Sequence, residues 1–143
     1  MELAKRFYEA LAAGDMVVRL ESPEALQAAR AALGPLVDPE LEVDLVGPEY
    51  LNQPLVYRGM DGYIEAWRDW LEPYESYHVE SEEYIDAGDK VVQLVRQVGR
   101  TRVSSVPIET RSAGVFTFRD GKLVRAEFHL ERESAMKAAG LSE

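Results

Sequence analysis

Two residues of this chain, Asp44 and Arg96, have the types and settings for acid–base chemistry. Asp44 falls late in Glu40–Val46, where Leu41, Val43 and Leu45 alternate with Glu42, Asp44 and Val46. A carboxylate drawn partly out of water keeps its proton to higher pH and can act as a general base near neutrality. Its shared parity with Glu42 gives the plainer reading, an exposed polar residue. Arg96 lies in a segment where Val92, Leu94, Arg96 and Val98 share one face, and Val91, Gln93, Val95 and Gln97 the other. A guanidinium among apolar neighbours needs a carboxylate or a ligand anion, because an unpaired buried charge is very costly. Asp44 and Glu109 are the candidate partners. The expectation is Arg96 in or at the rim of a pocket, paired with Asp44, the two forming a catalytic donor and acceptor.

The other candidates are weaker by type or by parity. Ser112 and Thr110 share a face with Phe116 and Phe118 and could orient a substrate oxygen, although buried hydroxyls are more often satisfied by backbone or water. His129 shares parity with Arg125, Glu127 and Glu131, which reads as a wet face, and His78 stands near Glu80 and Glu82. Two histidines without paired-carboxylate spacing give no metal signal, and no cofactor is implied. Tyr57, Tyr63, Trp67 and Trp70 could form an aromatic wall, although aromatics at helical spacing are more often core.

The elements that position these residues centre on Glu75–Leu130, read as four long antiparallel strands. Asp120-Gly121 separates two runs rich in β-branched and aromatic residues, the signature of a two-residue hairpin turn. After it, Val124, Ala126, Phe128 and Leu130 form the dry face. Asp86-Ala87-Gly88-Asp89 joins the preceding pair, and the uneven run through Glu80, Glu82 and Glu83 suggests an edge strand or a bulge. Helices are expected over Glu2–Ala13, stopped by Gly14-Asp15, and over Pro23–Leu33, capped by Ser22. A third is expected over Met60–Leu71 and a short one over Glu133–Ala139. Met16–Leu20 is ambiguous between helix and strand. Gly47-Pro48 opens a loop running to Gln53-Pro54, and Leu55–Tyr57 reads as a short strand. Helices followed by hairpins indicate an α+β class, and 143 residues suggest one domain over 1–143.

Composition narrows the function classes. The chain is 46% hydrophobic and 29% charged, as expected of a folded globular protein. A net charge of −10 opposes binding to nucleic acid or to anionic lipid. No apolar run approaches a membrane span of ~20 residues. The opening Met1-Glu2-Leu3-Ala4-Lys5-Arg6 lacks a signal-peptide centre, and the absence of cysteine is compatible with the cytoplasm.

Several phrases together resemble a known family. They are Phe7-Tyr8-Glu9-Ala10-Leu11-Ala12-Ala13-Gly14-Asp15, Tyr57-Arg58-Gly59 leading into Trp67 and Trp70, and Tyr84-Ile85-Asp86-Ala87-Gly88-Asp89. The hairpin at Asp120-Gly121-Lys122 and the ending Ala138-Ala139-Gly140-Leu141 complete the pattern. It is similar to that of the SnoaL-like polyketide cyclases of the nuclear-transport-factor-two-like superfamily. The resemblance implies a conical α+β half-barrel, its strongly curved, mostly antiparallel sheet wrapped around three N-terminal helices, with a short C-terminal helix. It also implies an apolar pocket for a small hydrophobic molecule and a homodimer formed through the outer face of the sheet. Val91 and Val95 would then be covered by the second copy.

By the same resemblance, Asp44 stands where a ketosteroid isomerase-like enzyme places its base. That enzyme's phenol aligns with Phe7, and its oxyanion-stabilising acid with Gly114, so its donors are missing. Limonene epoxide hydrolase-like members carry Arg-x-Asp where this chain has Arg96-Gln97-Val98. The expected pocket residues are Tyr57, Trp67, Leu94, Ser112, Phe116 and Phe128. The implied function is cofactor-free cyclisation, isomerisation or dehydration of a carbonyl-containing hydrophobic substrate. The alternative is a non-catalytic ligand-binding or dimerisation module of the same fold.

Overall fold

The structure, a computed structural model, describes residues 2–9, 15–46 and 56–141. The expected loop from Gly47 and the end of the first helix at Ala13-Gly14 lie outside the described residues. Six strands form one curved, unclosed sheet in the order β2-β1-β6-β5-β4-β3. They are β1 (Val37–Val46), β2 (Val56–Arg58), β3 (Tyr74–Ala87), β4 (Lys90–Thr101), β5 (Pro107–Arg119) and β6 (Lys122–His129). The pairing of β1 with β6 is parallel and all other pairings are antiparallel. The α+β class and the mostly antiparallel ladder expected from the sequence are therefore borne out.

Helices α1 (Glu2–Phe7), α2 (Met16–Glu21), α3 (Pro23–Leu33) and α4 (Gly59–Leu71) precede the ladder, and α5 (Arg132–Ala138) follows it. The ambiguous Met16–Leu20 segment is helical. Asp15 caps the start of α2: its Oδ1 accepts from Val17 N at 3.0 Å and from Tyr77 N at 3.3 Å. One carboxylate thus caps α2 and ties it to β3. Ser22 caps α3 by accepting from Ala25 N at 3.2 Å, and Pro23 opens that helix. In α4, Tyr63, Ile64, Ala66, Trp67 and Leu71 are buried, the amphipathic face that seats the helix on the sheet.

The Asp120-Gly121 turn has φ values of 54° and 75°, the left-handed pair that a two-residue hairpin needs. Its strands are not regular, however. Thr117 pairs with Arg125 and Phe118 with Leu123, so Val124 is an extra residue. This bulge sends Leu123, fully buried, into the core, where alternation alone assigns Val124. A second register shift lies between Ser81 and Glu83, on an edge strand, as the uneven glutamate pattern indicates.

The sheet is buried on both faces over β4 and β5. The inner core joins Leu41, Val43, Tyr63, Trp67, Tyr77, Val95, Phe116 and Ala126. A smaller outer cluster of Val92, Ala113, Val115 and Ala135 forms where α5 folds back over the sheet, with Ile85, Leu94 and Met136 packed around it. This corrects the face assignment of β4. Val91 pairs with Phe116, and Val92 with Val115. Val91 and Val95 are therefore interior, at 2% and 6% exposure, and cannot be the strip that a second copy covers. Both sides of β4 are apolar, so alternation within the strand could not say which side faced the helices.

Candidate functional site

The inner face between α4 and the sheet carries two adjacent cavities of about 30 Å³ each, room for a water molecule or two. Leu45, Ala66, Trp67, Trp70, Gln97 and Phe128 line the first. The second lies between Tyr8, Tyr63, Val79, Val95, Phe116 and the stretch Ala113–Gly114, and Trp67, Gln93 and Phe128 line it too. The rings make a connected wall. Phe128 meets Trp67 edge-on at 5.3 Å between centroids and Phe116 at 6.2 Å, and lies near-parallel to Tyr63 at 6.1 Å. Gly114 is required there, because a Cβ would come within 2.9 Å of the Phe116 ring.

Polar groups on this face are neutral and chained to one another. Trp70 Nε1 donates to Tyr77 Oη at 2.8 Å, Tyr77 donates to Gln97 Oε1, and Gln97 Nε2 donates to Ser112 Oγ. Gln93 Nε2 donates to Tyr84 Oη at 3.3 Å, and Tyr8 Oη to Val79 O at 2.7 Å. Trp67 Nε1 is the exception, buried without a partner at hydrogen-bonding geometry. Burial pushes the Tyr63 phenol well up, an effect that the nearby Trp67 indole partly offsets. Among the described residues, no carboxylate or imidazole lines either cavity.

Of the expected site residues, Trp67, Phe116 and Phe128 line these cavities, and Ser112 lies on the same face at the end of the hydrogen-bond chain. Tyr57 does not line them. It is buried on β2, donates to Asp69 Oδ2 at 2.8 Å, and has its phenol pushed up to about 12 by burial and by that carboxylate. Its work is to seat α4. Leu94 is on the outer face against the α5 cluster. Tyr8, next to the Phe7 position with which the isomerase-like phenol aligns, lines the second cavity; residues 8–9 wind as a π turn, which rotates the chain off helical spacing. The side chain of Phe7 is outside the described residues.

Arg96 and Asp44 are both on the outer face and do not meet. Arg96 follows the parity of Leu94. Its charge is met by Glu109 through Nε at 2.6 Å and by Glu80 through Nη1 at 2.8 Å. The hydrogen bonds it donates to Glu109 first, then to Glu80, hold the guanidinium more firmly protonated than usual. Asp44 pairs in register with Glu127, and its Oδ2 accepts from Arg125 while Oδ1 is buried without a partner. Desolvation raises its carboxyl above the ordinary range, although Arg125 opposes this. Asp44 thus has the shifted acidity expected of it, but on the face opposite the cavities. The physical reason is the β1–β6 register: Val43 and Leu45 pair with Ala126 and Phe128, which claim the inner face.

The outer face also holds a triplet of Glu127, His129 and Ser134, whose two strand residues are buried although alternation placed them in water. His129 Nδ1 lies 2.7 Å from Ser134 Oγ of α5, and Nε2 lies 3.2 Å from Glu127 Oε1. The hydrogen bond from His129 lowers the Glu127 carboxyl, against its burial. The parity of these residues is as expected. What changes their solvation is α5, anchored by Arg132, whose Nε donates to Ser112 O at 3.2 Å and Nη2 to Val95 O at 2.9 Å. Missed by the sequence reading were Gln93, Gln97 and Val95. The Val91-Gln93-Val95-Gln97 alternation was their signal, a half-polar strand face whose amides need buried partners.

The model of the SnoaL-like domain family matches residues 4–126. The chain belongs to the SnoaL-like domain family. Solved structures agree with this assignment at the level of fold. A nuclear-transport-factor-two-like protein from Burkholderia thailandensis superposes with a TM-score of 0.68 at 22% identity, covering 94% of this chain and 95% of that one. TerC, co-crystallised with polyporic acid, gives 0.66 at 16% identity, with 97% and 96% covered. A protein from Jannaschia sp. CCS1, named a SnoaL-like polyketide cyclase, gives 0.61 at 18% identity, with 97% and 94% covered. No curated protein matches this SnoaL-like chain. Among its described residues, no helix is long and apolar enough to cross a membrane, and no group of three His, Cys, Asp or Glu side chains could hold a metal ion.

Proposed function

We propose that this SnoaL-like chain binds a small, largely apolar, carbonyl-containing molecule on the inner face of its sheet, as a ligand-binding module. The observation that carries this reading is the character of that face: aromatic walls joined to neutral amides, phenols and indoles. Such a surface solvates an oxygen-bearing hydrophobic molecule and, among the described residues, supplies no strong base. The two groups suited to acid–base work, Asp44 and Arg96, are committed to ion pairs on the other face. Both tryptophans of the chain line one cavity, so intrinsic fluorescence reports occupancy directly. A panel of ring ketones and matched hydrocarbons should change tryptophan emission saturably. A panel that leaves the emission unchanged while the protein is folded would overturn the reading.

A second reading, cofactor-free cyclase, isomerase or dehydratase, is favoured by the names of the structural relatives that are called polyketide cyclases. It predicts turnover of the bound ketone, whereas the binding reading predicts unchanged recovery of the ligand. Homodimerisation belongs to the proposal as well, with its contact surface elsewhere than Val91 and Val95. Sedimentation at micromolar concentration tests it, and a clean monomer removes it.

A further inference from the structure

Building on that reading of the inner face, we propose that the two small cavities are halves of one ligand chamber with Phe128 as its movable partition. The chamber takes a flat, uncharged ring compound whose acceptor oxygen binds the Trp67 indole N–H. Trp67 and Phe128 are the aromatic residues that line both cavities. Neither cavity alone accommodates an organic ring, so a ligand must join them, and the side chain that moves decides what enters.

Several other polar wall residues are pinned. Trp70 is bonded to Tyr77, Gln97 is bonded at both ends of its amide, and Tyr8 is bonded to Val79 O. Phe128 is only partly buried, and its side chain is held by apolar packing, including the rings of Tyr63, Trp67 and Phe116, with no hydrogen bond. Weak dispersion contacts can be replaced like for like by an incoming ring, whereas breaking a buried hydrogen bond leaves a donor or acceptor unpaired. Phe128 is therefore the cheapest wall to displace. A ring seated in its place would face Tyr63 and the edge of Trp67.

The Trp67 N–H sets the polar requirement. Trp67 is 9% exposed, and its Nε1 is buried near the Tyr63 phenol with no partner at hydrogen-bonding geometry. An indole N–H only donates, so its complement is an acceptor oxygen. A buried donor left unsatisfied carries a standing cost that such an oxygen removes. Among the described lining residues there is no cation to compensate a carboxylate or phosphate, so charge is disfavoured.

The test uses 1-tetralone and tetralin, one ring frame with and without a ketone. Nitrogen–proton spectra of the folded protein show two indole signals, and Trp67→Phe assigns them. The expected result is a downfield shift of the Trp67 indole proton with tetralone only. Tetralone should bind about five-fold more tightly than tetralin, the factor one net hydrogen bond supplies. That preference should vanish in Trp67→Phe. Phe128→Leu, which keeps an apolar side chain on a folded protein, should bind the three-ring 9-fluorenone at least five-fold more tightly than wild type. A tetralone preference undiminished in Trp67→Phe, or an unchanged 9-fluorenone affinity in Phe128→Leu, would overturn this inference while leaving the binding site standing. If neither probe perturbs any inner-face resonance, the binding reading falls, and the inference with it.

Discussion

The two faces of the sheet solve the problem of burying polar atoms in opposite ways. On the inner face the polar groups are amides, phenols, indoles and a hydroxyl, mostly satisfied by single hydrogen bonds such as Trp70 to Tyr77. On the outer face they include charged groups and come in clusters: Asp44 with Arg125, Glu127 with the His129 imidazole, and Arg96 between Glu80 and Glu109. A neutral group needs one partner to be buried at small cost, whereas a charge needs a counter-charge, further hydrogen bonds and usually some water. The face that packs against α4 therefore excludes charge, and the face that keeps contact with solvent accepts it. Asp44 and Arg96, which look catalytic by type, are on the side opposite the two aromatic-lined cavities.

This contrast can be broken by substitution, most strongly on the inner side. Phe116→Ala should cost ~3–5 kcal/mol, because Phe116 is 4% exposed among aromatic neighbours that cannot collapse fully. Denaturant unfolding measures it, and an unchanged midpoint would show that the inner face is not a packed core. Gly114→Ala should cost about 1–3 kcal/mol by driving a methyl group against the Phe116 ring.

Next in size is the outer triplet. Glu127→Gln should cost about 1–2 kcal/mol at neutral pH, since it weakens a buried charge-assisted hydrogen bond. Its pH dependence sharpens the comparison. Glu127 titrates below its ordinary value of 4.5 in the folded chain. Its contribution is therefore complete above that value and is lost as pH falls through the lower, folded-state value. The variant should lack that part of the acid loss. Asp44 has the opposite sign, because its carboxyl is raised above 3.8, so ionisation costs stability as pH rises through that region. Asp44→Asn should steepen the net acid loss that Glu127→Gln flattens, and denaturation midpoints from acid to neutral pH would show whether the slopes diverge.

The smallest effect is expected for Arg96→Met. The pairs it breaks are half open to solvent, so the melting temperature should hardly move, and the affinity of any inner-face ligand should not change. A loss of ligand affinity in this variant would restore Arg96 to the site and undo the division between the faces.

Local chemistry in the sequence determined a good deal. Asp120-Gly121 specified a hairpin because few other pairs adopt two consecutive left-handed residues without strain. Ser22-Pro23 specified a helix start, and the spacing of Tyr63, Ile64 and Trp67 specified which side of α4 is buried. The fold class and the family phrases followed from such local signals. Alternation within β6 also put Phe128 and His129 on opposite faces, as they are.

Tertiary structure decided the rest. Alternation says that two residues differ in face, not which face the helices cover, and β4 is apolar on both sides. Only the pairing of Val91 with Phe116 settled that Val95 and Gln97 look inward and that Leu94 and Arg96 look outward. The bulge at Val124 shifted the start of β6 by one residue, which no propensity announces. The return of α5 across the sheet turned Glu127 and His129 from a wet strand face into a buried cluster. Face, register and cover are relations between segments distant in sequence, fixed by how the whole core packs, and no single strand contains them.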